Sequence, residues 1–225
     1  MDTPTSVGII MDGNRRWAKA QGVSSLEGHR AGLAKAKEIA RAAFDAGVTT
    51  LYYYAFSTEN WQRAPEEVSY LLSLFERAIT EEFNEFIREN IRVRFVGDLT
   101  RLPSKLKSLA EELEAKTAHH TRATLVIALS YGGRAEIVHA VNTLIQEGRS
   151  EVTEADIART LWSHGLADPE LIIRTSGAKR LSNFLTWQSV YSELMFTDTL
   201  WPKYTVEEFR RHLAAFAERK RNFGK

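Results

Sequence analysis

The chain has 225 residues, 44% hydrophobic and 26% charged, with 30 basic and 29 acidic side chains and no cysteine. The length suits one α/β domain over residues 1–225, the balanced charge offers no field that calls for nucleic acid, and the lack of cysteine excludes disulfides, thiolate metal sites and cysteine nucleophiles. No apolar run approaches the ~18 residues of a membrane span and no leader pattern opens the chain, so it reads as cytoplasmic, with any membrane contact made through its surface or a lipid-like substrate.

Apolar, β-rich runs alternate with longer amphipathic segments. That alternation predicts a mainly parallel sheet flanked by helices. In chain order, strands are expected at residues 7–10, 50–56, 92–96, 124–129 and 171–174, and helices at 31–46, 66–89, 104–119, 134–146 and 154–164. Two further helices are expected at 187–194 and 206–219. Pro65 followed by Glu66 and Glu67 is a helix start, with proline early and acids in the first turn.

The first strand runs into Met11-Asp12-Gly13-Asn14-Arg15-Arg16-Trp17. A strand that ends in a Gly turn and opens a helix aims free backbone N–H groups at one spot, and the helix dipole favours an anion there. Arg15 and Arg16 add charge-assisted donors for phosphate oxygens. Asp12 would repel a bare phosphate, which points to a bridging divalent cation such as Mg²⁺. Taken alone, the segment fits a helix cap beside a solvated arginine face equally well.

The rest of the chain decides between these readings. Ligands of open α/β sheets bind beyond the carboxyl ends of the strands. Polar clusters follow those ends: residues 12–16 after the first strand, Ser57-Thr58-Glu59-Asn60-Trp61-Gln62-Arg63 after the second, Tyr131-Gly132-Gly133-Arg134 after the fourth. Thr175-Ser176-Gly177 and Arg180-Leu181-Ser182 follow the fifth. Together they predict a shared phosphate-binding cleft.

With these clusters assembled, the chain resembles the cis-prenyltransferases, the family of undecaprenyl diphosphate synthase. The resemblance runs from Gly8 to Gly224. It rests on IIMDGNRRWA, EGHRAG at 27–32, YAFSTENW at 54–61, YGGR, IRTSG at 173–177, RLSNFLTWQ at 180–188, YSEL and FTDTLWP. It implies an α/β fold with a hydrophobic tunnel, and a Mg²⁺-dependent enzyme that adds isopentenyl diphosphate to an allylic diphosphate such as farnesyl diphosphate. It also implies a homodimer, a long product such as undecaprenyl diphosphate, and peripheral membrane contact through that lipid.

The same resemblance assigns roles. Asp12 matches the essential acid and metal ligand; Gly13, Asn14, Arg15 and Arg16 match the primer diphosphate loop, with Trp17 beside them. His29 matches a further diphosphate contact, although a lone histidine is more often structural. Asn60 matches the residue credited with helping proton removal, yet an amide is a poor base, so orientation or relay is the better chemistry. Ser57, Thr58, Glu59, Trp61 and Arg63 match substrate-binding positions. Arg174, Arg180, Leu181 and Ser182 match the isopentenyl diphosphate site. Glu193 matches a second metal acid, from its own or a partner subunit; on sequence alone it reads as a surface glutamate.

The predicted helix 66–89 carries more apolar surface than one stripe needs, and part of it is expected to line the tunnel. Ala55 and Ala123 are small, which favours a long product. Three positions depart from the family pattern: Ala178 replaces a glutamate, Ser25 replaces an arginine, and Arg221 precedes Asn222-Phe223-Gly224 where Arg-x-Gly is usual. These departures motivate a second hypothesis, a short-chain or irregular cis-prenyltransferase. A third, a non-catalytic subunit, conflicts with the retention of Asp12, Arg15 and Arg16.

Overall fold

The computed structural model describes residues 3–219. Strands β1 (Ser6–Ile10), β2 (Thr50–Ser57), β3 (Ile91–Val96), β4 (Ala123–Tyr131), β5 (Leu171–Arg174) and β6 (Glu193–Phe196) form one sheet in the order β3-β4-β2-β1-β5-β6. Every pairing is parallel. The helices are α1 (Asn14–Gln21), α2 (Ser25–Asp45), α3 (Pro65–Arg77), α4 (Asn84–Arg88), α5 (Ser104–Thr117), α6 (Gly133–Gln146), α7 (Glu154–Thr160) and α8 (Val206–Ala217).

Helices on both faces explain why the strands read as continuous apolar runs rather than alternating ones. Along β2, Leu51 and Tyr53 enter the larger core, while Tyr52 between them enters a second core with Phe184 and Leu185. Successive side chains point to opposite faces of a strand, so both faces need apolar residues. Each fully buried Leu or Phe here contributes about 1.5–3 kcal/mol relative to exposure.

Three expectations are corrected. Helix α2 begins at Ser25, earlier than residue 31, because Ser24 and Glu27 form a reciprocal capping box. The helix expected over 66–89 breaks: α3 passes into a π turn at Ala78–Glu82, closed by a 3.0 Å bond from the Phe83 N–H to the Ala78 carbonyl, and then into α4. The helix expected at 187–194 is absent; turns lead instead to β6, which pairs with β5 from Leu171↔Glu193 to Arg174↔Phe196. Glu, Leu and Met favour helix locally, and pairing with an open sheet edge overrides that preference. The departure noted at residues 221–224 lies outside the described residues.

Candidate active site

The carboxyl end of β1 opens the site. Gly13 caps α1 with φ +111°, and a Cβ there would lie 3.1 Å from both the Leu200 Cα and the Ser176 Cβ. Only glycine fits both the conformation and the space. No side chain caps α1, so its first N–H groups stay available for an anion. The Asp12 carbonyl is fixed by the Thr175 hydroxyl at 2.7 Å and the Trp201 N–H at 3.0 Å.

Those bonds aim the Asp12 carboxylate at Arg174, whose guanidinium donates to it at 2.8 Å. Arg174 is 5% exposed and also donates to the Ser182 hydroxyl at 2.6 Å and the Arg180 carbonyl at 2.7 Å. Arg180 Nε reaches the same hydroxyl at 3.2 Å, and Arg16 stands 3.6 Å from Asp12. Leu181 packs against the second core and so anchors the chain between Arg180 and Ser182.

Beside this cluster lies a polar chamber walled by residues 11–16, His29 and Arg63. Glu67, which the sequence reading missed, organises its cations. Its carboxylate accepts from Arg63 at 3.0 Å, meets His29 Nε2 at 3.3 Å and lies 3.9 Å from Arg15. The signal available was the i, i+4 spacing from Arg63. Burial lowers the His29 pKa, and the Glu67 hydrogen bond opposes that shift.

Thr58–Gln62 form a short turn of 3₁₀ helix after β2, re-aimed by irregularities in the β2–β4 register between Tyr54 and Ser57. Asn60 Oδ1 accepts from the Ser57 N–H at 3.0 Å, so the amide oxygen serves as a cap. Trp61 donates to Ser130 at 3.0 Å and lies under Arg101, 5.0 Å from its ring centre. Glu59 accepts from Asn183 at 3.0 Å. Burial pushes the Glu59 carboxyl up, but hydrogen bonds from its own backbone, Asn183, Ser57 and Thr58 hold it below the usual range. Asn183, also unnoticed in the sequence, takes the Arg134 N–H at 2.9 Å and thus ties this loop to α6. Thr58 is in the same crevice, with its hydroxyl 2.6 Å from where a Gly132 Cβ would stand. Trp17 is half-buried on α1.

An apolar cavity adjoins the polar chamber. It runs between α2 and α3 over the sheet, past Ala55, Leu71, Leu74 and Phe75 to Phe83, Phe86 and Phe95. Val68 and Leu72 of the same stretch do not line it, and neither does Ala123.

Glu193 does not join this constellation within the chain. It opens β6 opposite Leu171, at the amino end of the strands, and pairs with Arg219. No group of three or more His, Asp or Glu side chains forms a metal cage among the described residues.

A family model described as "Putative undecaprenyl diphosphate synthase" matches residues 10–224. An isoprenyl transferase from Chromobacterium violaceum is 44% identical over 224 residues, covering 100% of this chain and 89% of that protein. A farnesyl-diphosphate-specific ditrans,polycis-undecaprenyl-diphosphate synthase from Salmonella typhimurium is also 44% identical, covering 97% of this chain and 89% of that one. Among solved structures, lavandulyl diphosphate synthase from Lavandula x intermedia, in complex with dimethylallyl diphosphate, superposes with a TM-score of 0.94 at 32% identity and 99% coverage of both chains. A "probable undecaprenyl diphosphate synthase" from Campylobacter jejuni gives 0.84 at 34% identity and 100% coverage of both.

Proposed function

We infer that this chain, which belongs to the family of undecaprenyl diphosphate synthases, is a cis-prenyltransferase. It condenses isopentenyl diphosphate with an allylic diphosphate, farnesyl diphosphate, to give a long polyprenyl diphosphate. The observation that carries the reading is a shared wall. Met11, Asn14 and His29 line both the polar chamber at the α1 N-terminus and the long apolar cavity. A diphosphate head and a prenyl tail need that junction of polar and apolar space.

Breaking the primer's C1–O bond leaves both electrons on the diphosphate. The open N–H groups of α1, with Arg15, Arg16 and Arg63, oppose that charge as it develops. His29 supplies a further contact, held by Glu67. Arg174, Arg180 and Ser182 hold the isopentenyl diphosphate, whose alkene carbon forms the new bond to C1. The resulting cation then loses a proton to give the new double bond. Because Asn60 Oδ1 already accepts from Ser57, its remaining role is donation through Nδ2, which orients a diphosphate. The proton goes to a diphosphate oxygen or water. Ser57, Thr58, Glu59 and Trp61 shape the same loop.

Magnesium fits this donor set. It binds through one or two carboxylates plus substrate phosphates rather than a protein cage, and Asp12 is partly open beside the phosphate chamber. When bound, it would offset charge between that carboxylate and the diphosphates. Glu193 reaches such an ion only from a second copy of the chain. A homodimer is supported by an exposed apolar stripe on α6, formed by Val138, Val141 and Ile145. None of the described helices is long and apolar enough to cross a membrane. We assign a single catalytic domain in the cytoplasm, meeting the membrane through its lipid product.

A shorter or irregular product is the second reading, favoured by Ala178, Ser25 and the close superposition on lavandulyl diphosphate synthase. Labelled isopentenyl diphosphate, farnesyl diphosphate and Mg²⁺, with product length read by chromatography, separates the two. A ladder ending at undecaprenyl length is expected. One or two additions would establish the second reading, and no incorporation with any allylic primer would overturn both.

A further inference from the structure

Two residues lining the apolar cavity are charged at their tips and belong to an ion-pair seam in its side wall. Lys37 of α2 donates to Glu82, the last residue of the π turn, and lies 3.5 Å from Glu85. The seam continues along α2, where Arg41 pairs with Glu85 and stands 3.9 Å from Glu89. Arg122 then closes the line, 2.9 Å from both Glu89 and Asp45. Charges alternate in sign throughout, and α2 presents its members at i, i+4 spacing.

The π turn makes this arrangement possible. Its extra residue shifts the helical phase, so that Ile79, Phe83 and Phe86 stay buried while Glu82 and Glu85 meet the α2 cations. The Lys37 and Glu82 side chains are 23% and 37% exposed, so the pair faces the cavity on one side and solvent on the other. The apolar stem of Lys37 can lie along a prenyl tail while its ammonium stays in the seam.

The cavity thus has walls of unequal strength. Parting the floor of Phe83, Phe86 and Phe95 exposes apolar surface, which is costly. Parting solvent-reaching ion pairs exchanges them for water and is cheap, the more so in salt. We propose that Lys37 and Glu82 latch a lateral exit between α2 and α4, and that polyprenyl tails too long for the cavity pass outward there. The pair is then a specificity determinant for product length. This rests on the prenyltransferase reading above.

The absence of cysteine gives a clean background for a test. In the Lys37→Cys/Glu82→Cys protein, a short bis-maleimide bridges the seam shut. Titration calorimetry with farnesyl phosphate and undecaprenyl phosphate, before and after bridging, reads tail accommodation without turnover. Bridging should leave farnesyl phosphate affinity unchanged and weaken undecaprenyl phosphate about tenfold or more, with products shortened in the condensation assay. Equal affinities for both lipids before and after bridging would overturn the latch. If neither lipid binds the unbridged protein or the parent chain, the prenyltransferase reading itself fails and the latch with it. Should the cysteine pair fold poorly, Lys37→Glu should lengthen the product distribution and Lys37→Glu/Glu82→Lys should restore it. An unchanged distribution in Lys37→Glu would equally refute the proposal.

Discussion

Arg174 Nη2 and Asp12 Oδ2 lie 2.8 Å apart, although 162 residues separate them in the chain. The pair links the end of β5 to the turn after β1, and so joins the two diphosphate loops of the proposed reaction. It also separates two jobs of Asp12, holding Arg174 and facing the phosphate chamber, that substitutions can distinguish. Asp12→Asn keeps the shape and an acceptor for Arg174 but removes the charge. It should lower kcat by about a hundredfold to a thousandfold, the scale of losing one developing-charge stabiliser, with the melting temperature nearly unchanged. Asp12→Ala should lower kcat similarly and also destabilise the fold by about 1–3 kcal/mol, because it strips a charged donor of its partner. Steady-state kinetics beside calorimetry checks both; equal stability losses for the two variants would argue against the separation.

His29 and His212 both have pKa values lowered mainly by burial. The folded state therefore binds their protons less readily than the unfolded chain does. Their contribution to stability is present above the ordinary histidine value of 6.5 and is lost as pH falls from there towards their lowered folded values. Thermal melts across that acid limb should show stability falling with pH. His29→Asn should flatten the slope, and the double variant with His212→Asn should flatten it further. An unaltered slope in the double variant would assign the effect to other groups.

Glu136 is 0% exposed, and the groups that hydrogen-bond to its carboxylate are all neutral. Four donors hold its carboxylate: the Tyr131 hydroxyl at 2.5 Å, the Ser163 N–H at 3.0 Å and hydroxyl at 2.9 Å, and the Gln188 amide at 3.0 Å. Burial, reinforced by the proximity of Glu136, drives the Tyr131 phenol far above its usual pKa. Glu136→Ala leaves several buried neutral donors unpaired and should cost about 2–5 kcal/mol in urea unfolding, at about 1–3 kcal/mol for each buried group left unsatisfied. A cost below about 1 kcal/mol would mean that water replaces the carboxylate.

Ile145 is 63% exposed on the apolar face of α6. If a second copy covers this face, Ile145→Glu should convert a dimer into a monomer in sedimentation velocity while leaving the circular dichroism spectrum intact. A wild-type chain that sediments as a monomer at all concentrations would refute the dimer.

Five of the six strands, the helix-opening turn at Gly13 and the polar loops beyond the strand ends were legible in the sequence, because each is encoded by local composition, steric freedom or the chemistry of neighbouring side chains. β6 was not legible, since four residues of helix-favouring composition become a strand only when β5 offers an open edge. The broken helix after α3 was hidden for a related reason: the π turn balances apolar burial on one side against pairing with Lys37 and Arg41 on the other. Glu67 and Glu136 read as ordinary helical acids until packing brings their donors together. Glu193 matched a motif by type, yet the sheet register sets it at the opposite end of the strands from Asp12. Sequence alone supplied candidates for binding diphosphates, because candidacy depends on side-chain chemistry. The strand order, with β1 between β2 and β5, decided which of them meet, because contacts between distant segments depend on how buried surfaces are shared across the whole chain.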